Sequence, residues 1–340
     1  MANWTDLLVR DSIQDTGQIP ALGEPYTSPD LICTQTTMYP NPTQYFTANY
    51  GSDPNQAAIA NQNNYFYTRA KNLGSTNQGG TMYLYWAAPS LLMSPAQWIQ
   101  NALYIVLQNQ QKQYYSALAA VAPNAITVQQ TPFIWGAPAV AHYCMVGICS
   151  TAQHPWNPAT PPSFPTWESF VLWVRSNGNI GWRNLQMVTN PNIPEWDSTA
   201  AFNNPWSVGA PLLVSATANS NVPPNTSVTL KCTALGINVT GPVNPGGTLY
   251  SQGVTCPAGF TGYVETTAQT PNGIPWPSGA SLVTTAFLGA TKSNPVAQFA
   301  ADFGAANEHP HVLTAKKLTG DANGVLVQVG NNSIAYQPTQ

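Results

Sequence analysis

The stretch Asn64-Tyr65-Phe66-Tyr67-Thr68-Arg69-Ala70 decides the fold class, because successive side chains alternate between two sides as they do in a β-strand. Asn72-Leu73-Gly74 follows it and predicts a turn. Residues 81–86, which read Thr-Met-Tyr-Leu-Tyr-Trp, predict the next strand. The centre of the N-terminal half is therefore expected to be a β-sheet.

Short strands separated by turns are expected along the whole chain. Its 340 residues include 31 Pro and 25 Gly, spread over the full length, as is typical of many short strands. This length indicates two domains. The sequence thus predicts a mainly β protein with two β-sandwich domains. The expected parts are an N-terminal arm over 1–25, a sandwich over 26–190, a Pro- and Asn-rich linker over 191–210, and a second sandwich over 211–340.

One insertion in the first sandwich is expected to be helical. Ser94-Pro95-Ala96-Gln97 has the N-cap residue, the first-turn proline and the Gln of a capping box. Trp98 and Ala102 continue at helical spacing, whereas Tyr104-Ile105-Val106 is also typical of a strand. The prediction is a short helical insertion near 95–115 rather than one long helix.

The chain carries very little charge. Only 7 % of its residues are charged and the formal net charge is −3, whereas about a quarter of the residues of an ordinary soluble protein are charged. Copies of such a chain repel one another weakly. This composition favours a protein that packs against copies of itself, against another protein or against a glycan.

The composition also bears on partners and location. A pI near 5.7 and the lack of a basic run argue against nucleic acid. No apolar run is long enough to predict a membrane-spanning segment. The first residues lack the basic and apolar regions of a signal peptide, although the composition is typical of extracellular proteins. The protein is expected to be extracellular or exported without a recognisable signal peptide, and a cytoplasmic location stays open.

A series of short elements runs in order through residues 8–190. They are Val9-Arg10-Asp11, Asp15-Thr16-Gly17, Ser28-Pro29-Asp30-Leu31-Ile32, Tyr67-Thr68-Arg69-Ala70-Lys71-Asn72 with Gly74, Leu84-Tyr85-Trp86-Ala87, Pro132-Phe133-Ile134-Trp135, His142-Tyr143-Cys144, Ser150-Thr151 with His154-Pro155, and Asn179-Ile180-Gly181-Trp182-Arg183-Asn184. In this order they resemble the immunoglobulin-like modules of bacterial exported and surface-associated proteins of unassigned function. The resemblance implies an immunoglobulin-like β-sandwich that serves as a binding or accessory module. Nothing in residues 206–340 carries a comparable resemblance.

The few charged residues are expected to be structural. Arg69 and Arg183 lie within predicted strands, where a buried guanidinium needs a carboxylate or several carbonyl partners. Asp11, Asp15 and Asp30 are the expected partners. Calcium is the alternative for these aspartates, but the three carboxylates are too dispersed along the chain for a calcium loop.

Metal and catalytic signatures are weak, so no cofactor and no metal are predicted. Cys144 and Cys149 are spaced more widely than usual zinc-ligand pairs, and His142 and His154 flank them. His309-Pro310-His311 is similarly weak. The chain lacks a Gly-x-Ser-x-Gly elbow, a Gly-rich phosphate loop and a Cys–His nucleophile signature. A glycoside hydrolase using Glu168 and Glu195 as its carboxylate pair is the remaining enzymatic alternative.

The tryptophans are the better functional signal, because exposed indole rings are typical of protein interfaces and of sugar-stacking surfaces. The alternative is that each ring locks a Pro-rich turn by packing on it. Five tryptophans in Pro- and Asn-rich surroundings are predicted to form a binding surface: Trp156, Trp167, Trp196, Trp206 and Trp276.

Taken together, these features predict a non-catalytic binding or structural subunit that can self-assemble through a low-charge, aromatic-rich surface. A secreted, glycan-binding adhesin or toxin component is the alternative, and a glycoside hydrolase is third. Cys232 and Cys256 lie in strand-like runs of the second block and are predicted to form a disulfide in an oxidising compartment.

Overall fold

The computed structural model describes residues 2–22, 25–87, 92, 94–138, 143–164, 167–185, 187–188, 195–204, 207–277, 279–290 and 325–335. The chain is mainly β, as predicted. It divides into two compact units. The first unit comprises residues 1–139 and 143–185, and the second comprises residues 140–142 and 186–340. In the described part of the chain, no helix is both long and apolar enough to cross a membrane.

The first unit is built from short strands and three helices in its described residues. In chain order the elements are β1 (Ala2–Asn3), β2 (Leu7–Leu8), β3 (Gln18–Ile19), β4 (Leu31–Cys33), α1 (Pro42–Ala48), β5 (Ala58–Ile59), β6 (Asn63–Asn72), β7 (Gln78–Ala87), α2 (Pro95–Trp98), β8 (Ile105–Val106), β9 (Lys112–Gln113), β10 (Ser116–Val121), β11 (Ile126–Val128), β12 (Phe133–Gly136), β13 (Tyr143–Ser150), α3 (Trp167–Ser176) and β14 (Ile180–Leu185).

Two larger antiparallel sheets dominate the first unit, and β1–β3 and β8–β9 form separate two-stranded pairs. One has the strand order β10-β7-β13-β14, and the other is centred on β6, which pairs with β2, β4, β11 and β12. The sheets approach closely where a Cβ on Gly147 of β13 would lie 2.4 Å from Leu31 Cδ2 of β4. Strand β6 is buried on both faces, because α1 places Phe46 against Tyr67 and Ile32 on the face away from the other sheet.

The predicted arm over 1–25 does not stand apart from the first sandwich. Trp4, Leu8 and Val9 are buried in it, and β2 extends the sheet of β6. Gly17 makes this approach possible, since its φ of +93° favours glycine and a Cβ there would lie 2.4 Å from Leu73 Cδ1. The alternation of polar and apolar residues is too short in this segment to reveal the pairing, which joins residues more than sixty positions apart.

The predicted helical insertion is shorter than expected. Helix α2 has four residues and is followed by a 3₁₀ turn at Ile99–Asn101. The rest of the insertion is the antiparallel pair β8–β9, in which Ile105 lies opposite Gln113. The β-branched residues of β8 favour the strand over a continued helix.

The second unit is a β-sandwich. Its sheets have the strand orders β16-β22-β18-β19 and β20-β17-β23-β24, with β21 also paired to β17, and their facing side chains form one hydrophobic core. The elements are β15 (Met187–Val188), β16 (Glu195–Asn203), β17 (Ala210–Ala218), β18 (Thr226–Cys232), β19 (Ile237–Val243), β20 (Thr248–Tyr250), β21 (Val254–Cys256), β22 (Thr261–Gln269), β23 (Ser281–Ala290) and β24 (Val325–Ala335).

The predicted linker over 191–210 is largely a strand. Within it, β16 runs from Glu195 to Asn203 and pairs with β22 over its whole length. Polar residues such as Asp197 and Ser198 are interspersed with the core residues Trp196 and Phe202, so no clear apolar alternation marks the strand in the sequence. Residues 191–194 and 205–206 of the predicted linker lie outside the described part of the chain.

Candidate functional site

A buried ionic network occupies the first unit. Asp30, which is fully buried, accepts hydrogen bonds from the backbone N, the Nε and the Nη2 of Arg10 at 2.8, 3.0 and 2.6 Å, and from the Nε of Arg69 at 2.7 Å. Burial alone would lower the pKa of Arg10, but the hydrogen bond and charge of Asp30 raise it. The Arg10 guanidinium also lies 3.6 Å from the centre of the Tyr50 ring, a cation–π distance.

Arg69 ties the loop after α1 to the sheet. Its Nη1 donates to Phe46 O at 3.0 Å and to Asn49 O at 2.9 Å, and its Nη2 donates to Pro29 O and Ser52 O at 3.1 and 2.8 Å. The guanidinium therefore satisfies carbonyls at the end of a short helix as well as one carboxylate. This is the structural role predicted for Arg69.

Arg183 is structural in the same sense. Its Nη2 donates to Asp53 at 2.6 Å and its Nε to Ser28 O at 2.7 Å, with Arg183 buried and Asp53 41 % exposed.

Asp11 instead faces Asp15 and Arg175. Burial, and then the charge of Asp15, hold the pKa of Asp11 well above its ordinary value, while Arg175 opposes the shift.

A second carboxylate joins the N-terminal segment to the loop after β13. Asp6 Oδ2 lies 2.8 Å from His154 Nδ1 and also accepts the Thr151 hydroxyl, while the His154 ring packs on Trp4 at 4.1 Å. An Asp–His pair of this kind orients a histidine base in hydrolases. Here the nearby hydroxyl donates to the aspartate rather than to the histidine, so the arrangement fastens two chain segments together.

These networks leave the first unit with little surface charge. Among its described side chains, Asp6, Arg10, Asp11, Asp15, Asp30, Arg69, Arg175 and Arg183 are all buried. The charged side chains that reach solvent in the described residues of this unit are Asp53, Lys71 and Lys112. The exposed surface of this unit is therefore even less charged than the composition implies, because most of its described ionic groups are buried in the interior.

No metal centre is evident in the described part of the chain. The described residues contain no group of three or more His, Cys, Asp and Glu side chains that could hold a metal ion. Cys144 is buried, and desolvation raises its pKa to about 12. His142 and His309-Pro310-His311 lie outside the described residues, as do the side chains of Glu168 and Glu195, so the candidate glycosidase pair is not described.

The five predicted surface tryptophans have different positions. Trp196 of β16 and Trp276 are 3 % and 4 % exposed and stack on each other with ring centres 3.5 Å apart, inside the core of the second unit. Their prediction as surface residues is wrong, because each ring buries the other beside its Pro- and Asn-rich segment. Trp206 lies outside the described residues, and Trp167 begins α3 with its side chain not described. Trp156 is half-buried.

Trp156 belongs to a continuous strip of rings on the first unit, which we name the aromatic row. Its consecutive ring centres are 5.0 to 6.4 Å apart. Tyr115 is 45 % exposed and Tyr85 is buried, and the other four rings are half-buried. In order, the row consists of Tyr115, Tyr83, Tyr85, Trp156, Trp173 and Phe164.

The fold assembles this row from β7, from α3 and from Tyr115, Trp156 and Phe164, which lie between named elements. Tyr83 and Tyr85 point to the same side of β7 because they are two residues apart, and their rings are nearly parallel, with 4° between the planes. Tyr115 immediately precedes β10, which pairs with β7. Trp156 is fixed by a hydrogen bond from its Nε1 to the Tyr85 hydroxyl at 3.0 Å, and α3 supplies Trp173.

The cysteines of the second unit meet in its core. Cys232 ends β18 in one sheet, Cys256 ends β21 in the other, and both are buried in the same hydrophobic cluster. Both thiols are free. Desolvation raises the pKa of Cys256 to about 12, with a further contribution from Cys232. The disulfide stays a prediction for material that has passed through an oxidising compartment.

Comparison with known proteins gives little. No protein-family model matches the chain, and no curated protein matches it. Among solved structures, the secreted serine protease VesC from Vibrio cholerae is 8 % identical, with 62 % of this chain and 44 % of that chain covered and a TM-score of 0.22. A transglutaminase of red sea bream is 9 % identical, with coverage of 68 % and 27 % and a TM-score of 0.19. The chain spans less than half the length of either protein, and likenesses this weak carry no argument about function.

Proposed function

We propose that the protein is a non-catalytic binding or structural subunit, exported or extracellular, that associates with copies of itself or another protein subunit through the aromatic row. The observation that carries this proposal is the strip of partly exposed rings on a unit in which most of the described charged side chains are buried. Aromatic rings provide much of the binding energy of protein interfaces. Desolvating uncharged groups costs less than desolvating ionised ones.

The catalytic alternatives have less support. The one Asp–His pair in the described residues, Asp6–His154, has its nearby hydroxyl directed at the carboxylate. A serine or cysteine hydrolase needs a nucleophile that donates to the histidine. The low-charge surface instead supports association by apolar and amide contacts.

The experiment is to measure association of the full chain by light scattering over a concentration series. Tyr115→Ser and Trp156→Phe alter the row, and Tyr263→Ser is the matched control, because Tyr263 is 51 % exposed on the second unit. We expect association that one or both row substitutions weaken and the control does not. Association unaffected by either row substitution would contradict the proposal. A monomer retained on a glycan array through Trp156 would favour the glycan-binding alternative instead.

A further inference from the structure

The four-stranded sheet of the first unit has one covered edge and one open edge. Along β14, Ser28 N donates to Trp182 O and Asn184 N to Tyr26 O, each at 3.0 Å, so the segment around Thr27 lines that edge. At the other edge, β10 pairs with β7 and with no further strand in the part of the chain that the structure describes. An edge strand presents unpaired backbone N–H and C=O groups along its free side.

Within the described residues, this open edge carries little of the usual protection against pairing: its one irregularity lies between Leu118 and Val121. Natural proteins commonly guard edge strands with Lys or Pro, with a bulge or with a covering segment. The sequence contains no Lys, Arg, Asp or Glu between Lys112 and Glu168. Ala117, Ala119 and Ala120 of β10 are exposed. The register is irregular between Leu118 and Val121, which leaves the first half of the strand regular and free to pair.

We infer that β10 pairs with the β10 strand of a second copy of this chain, antiparallel and about a two-fold axis at Ala117. This inference rests on the proposed function, because it names the partner for the Tyr115 end of the aromatic row. A two-fold axis at a sheet edge generates antiparallel pairing in which each strand contributes the same residues. Identical strands without charge bring no like charges together.

The side chains of the two copies fit this register. With the axis at Ala117, Ser116 of one copy lies opposite Leu118 of the other within the regular part of β10. Just outside it, Tyr115 of one copy comes next to Ala119 of the other, so a large ring faces a small side chain. Tyr115, 45 % exposed in the single chain, is then covered. Its ring centre is 5.9 Å from that of Tyr83, so the aromatic rows of the two copies meet at the shared edge.

The test uses the full chain from about 1 µM to about 100 µM in sedimentation velocity, a range that covers moderate affinities. Ala117→Lys places two ammonium groups against each other at the axis. Ala258→Lys, at an exposed turn of the second unit, is the matched control. We expect a concentration-dependent dimer that Ala117→Lys weakens at least about tenfold, the loss expected from opposed like charges at an interface, and that the control leaves unchanged.

Disulfide trapping tests the register itself. The five native cysteines are all buried, so an introduced thiol is the accessible one. Directly opposite residues have Cβ atoms about 5 Å apart, close to disulfide distance. Ala117→Cys should therefore give a covalent dimer under mild oxidation, whereas Ala119→Cys, which faces a tyrosine, should not.

The outcomes separate this inference from the proposed function. Association that Tyr115→Ser weakens, but that Ala117→Lys leaves intact and Ala117→Cys does not trap, would overturn the β10 pairing and leave the aromatic row as the contact surface. A wild-type chain that stays monomeric over the whole range would overturn the pairing. If row substitutions then also change no binding on a glycan array or to any added protein, the proposed function fails with it.

Discussion

Replacing Arg69 tests how far the buried ionic network supports the first unit. Arg69→Ala removes one hydrogen bond to Asp30 and four to the backbone carbonyls of Pro29, Phe46, Asn49 and Ser52. Breaking a buried ion pair costs about 3–5 kcal/mol. Asp30 keeps its three hydrogen bonds from Arg10, which limits the loss of stability at the carboxylate. The four backbone carbonyls that lose their hydrogen-bond donor add to the loss of stability. We therefore expect a loss of about 4 kcal/mol.

The assay is urea unfolding followed by circular dichroism, with Lys231→Ala as the control. Lys231 pairs with Glu265 at 3.2 Å in the second unit, but the two side chains are 50 % and 43 % exposed. An exposed pair of this kind is worth about 0.2–1 kcal/mol. Unfolding of Arg69→Ala at the same urea concentration as the parent, or a loss no larger than that of Lys231→Ala, would refute the reasoning from burial.

Two further predictions concern single groups. The pKa of Asp11 is raised in the folded protein, so the parent loses stability as the pH rises above the ordinary carboxyl pKa. Asp11→Asn should therefore stabilise the protein more at about pH 7 than at about pH 4. An equal effect of the substitution at both pH values, measured by urea unfolding, would contradict this. Cys232 and Cys256 should resist alkylation in the reduced native protein, because both are buried and their pKa values are raised, and should form a disulfide in exported material. Peptide mapping that finds both thiols free in exported protein would refute the disulfide.

The strand pattern could be predicted where alternation is local. Residues 64–70 and 81–86 lie in β6 and β7, as expected. Helix α1 could not be predicted from the sequence. Its seven residues, Pro42–Ala48, are too few to show a helical period, and Asn41 makes no side-chain cap. Polar residues among the core residues likewise concealed β16, and two of them, Ser198 and Thr199, are themselves buried.

The candidate site could be predicted only in part. The sequence pointed to Trp156 and to the structural roles of Arg69 and Asp30, because burying charge in a chain with so little of it requires pairing. It could not separate Trp156 from Trp276, since both follow Pro- and Asn-rich segments and only the fold decides which ring is stacked inside a core. The aromatic row depends on the register between β7 and β10, which brings Tyr83 and Tyr115 together from more than thirty residues apart.

The central claim is that association uses an uncharged aromatic surface, and its salt dependence tests this most directly. Raising the salt from about 0.05 M to about 0.5 M shortens the Debye length roughly threefold, whereas apolar burial changes little. The association constant of the wild-type chain, measured by light scattering, should therefore stay nearly constant over this range. Tyr115→Ser should weaken the free energy of association by about 2 kcal/mol at both salt concentrations, the size expected for an interface anchor. An association that collapses in high salt would contradict the account.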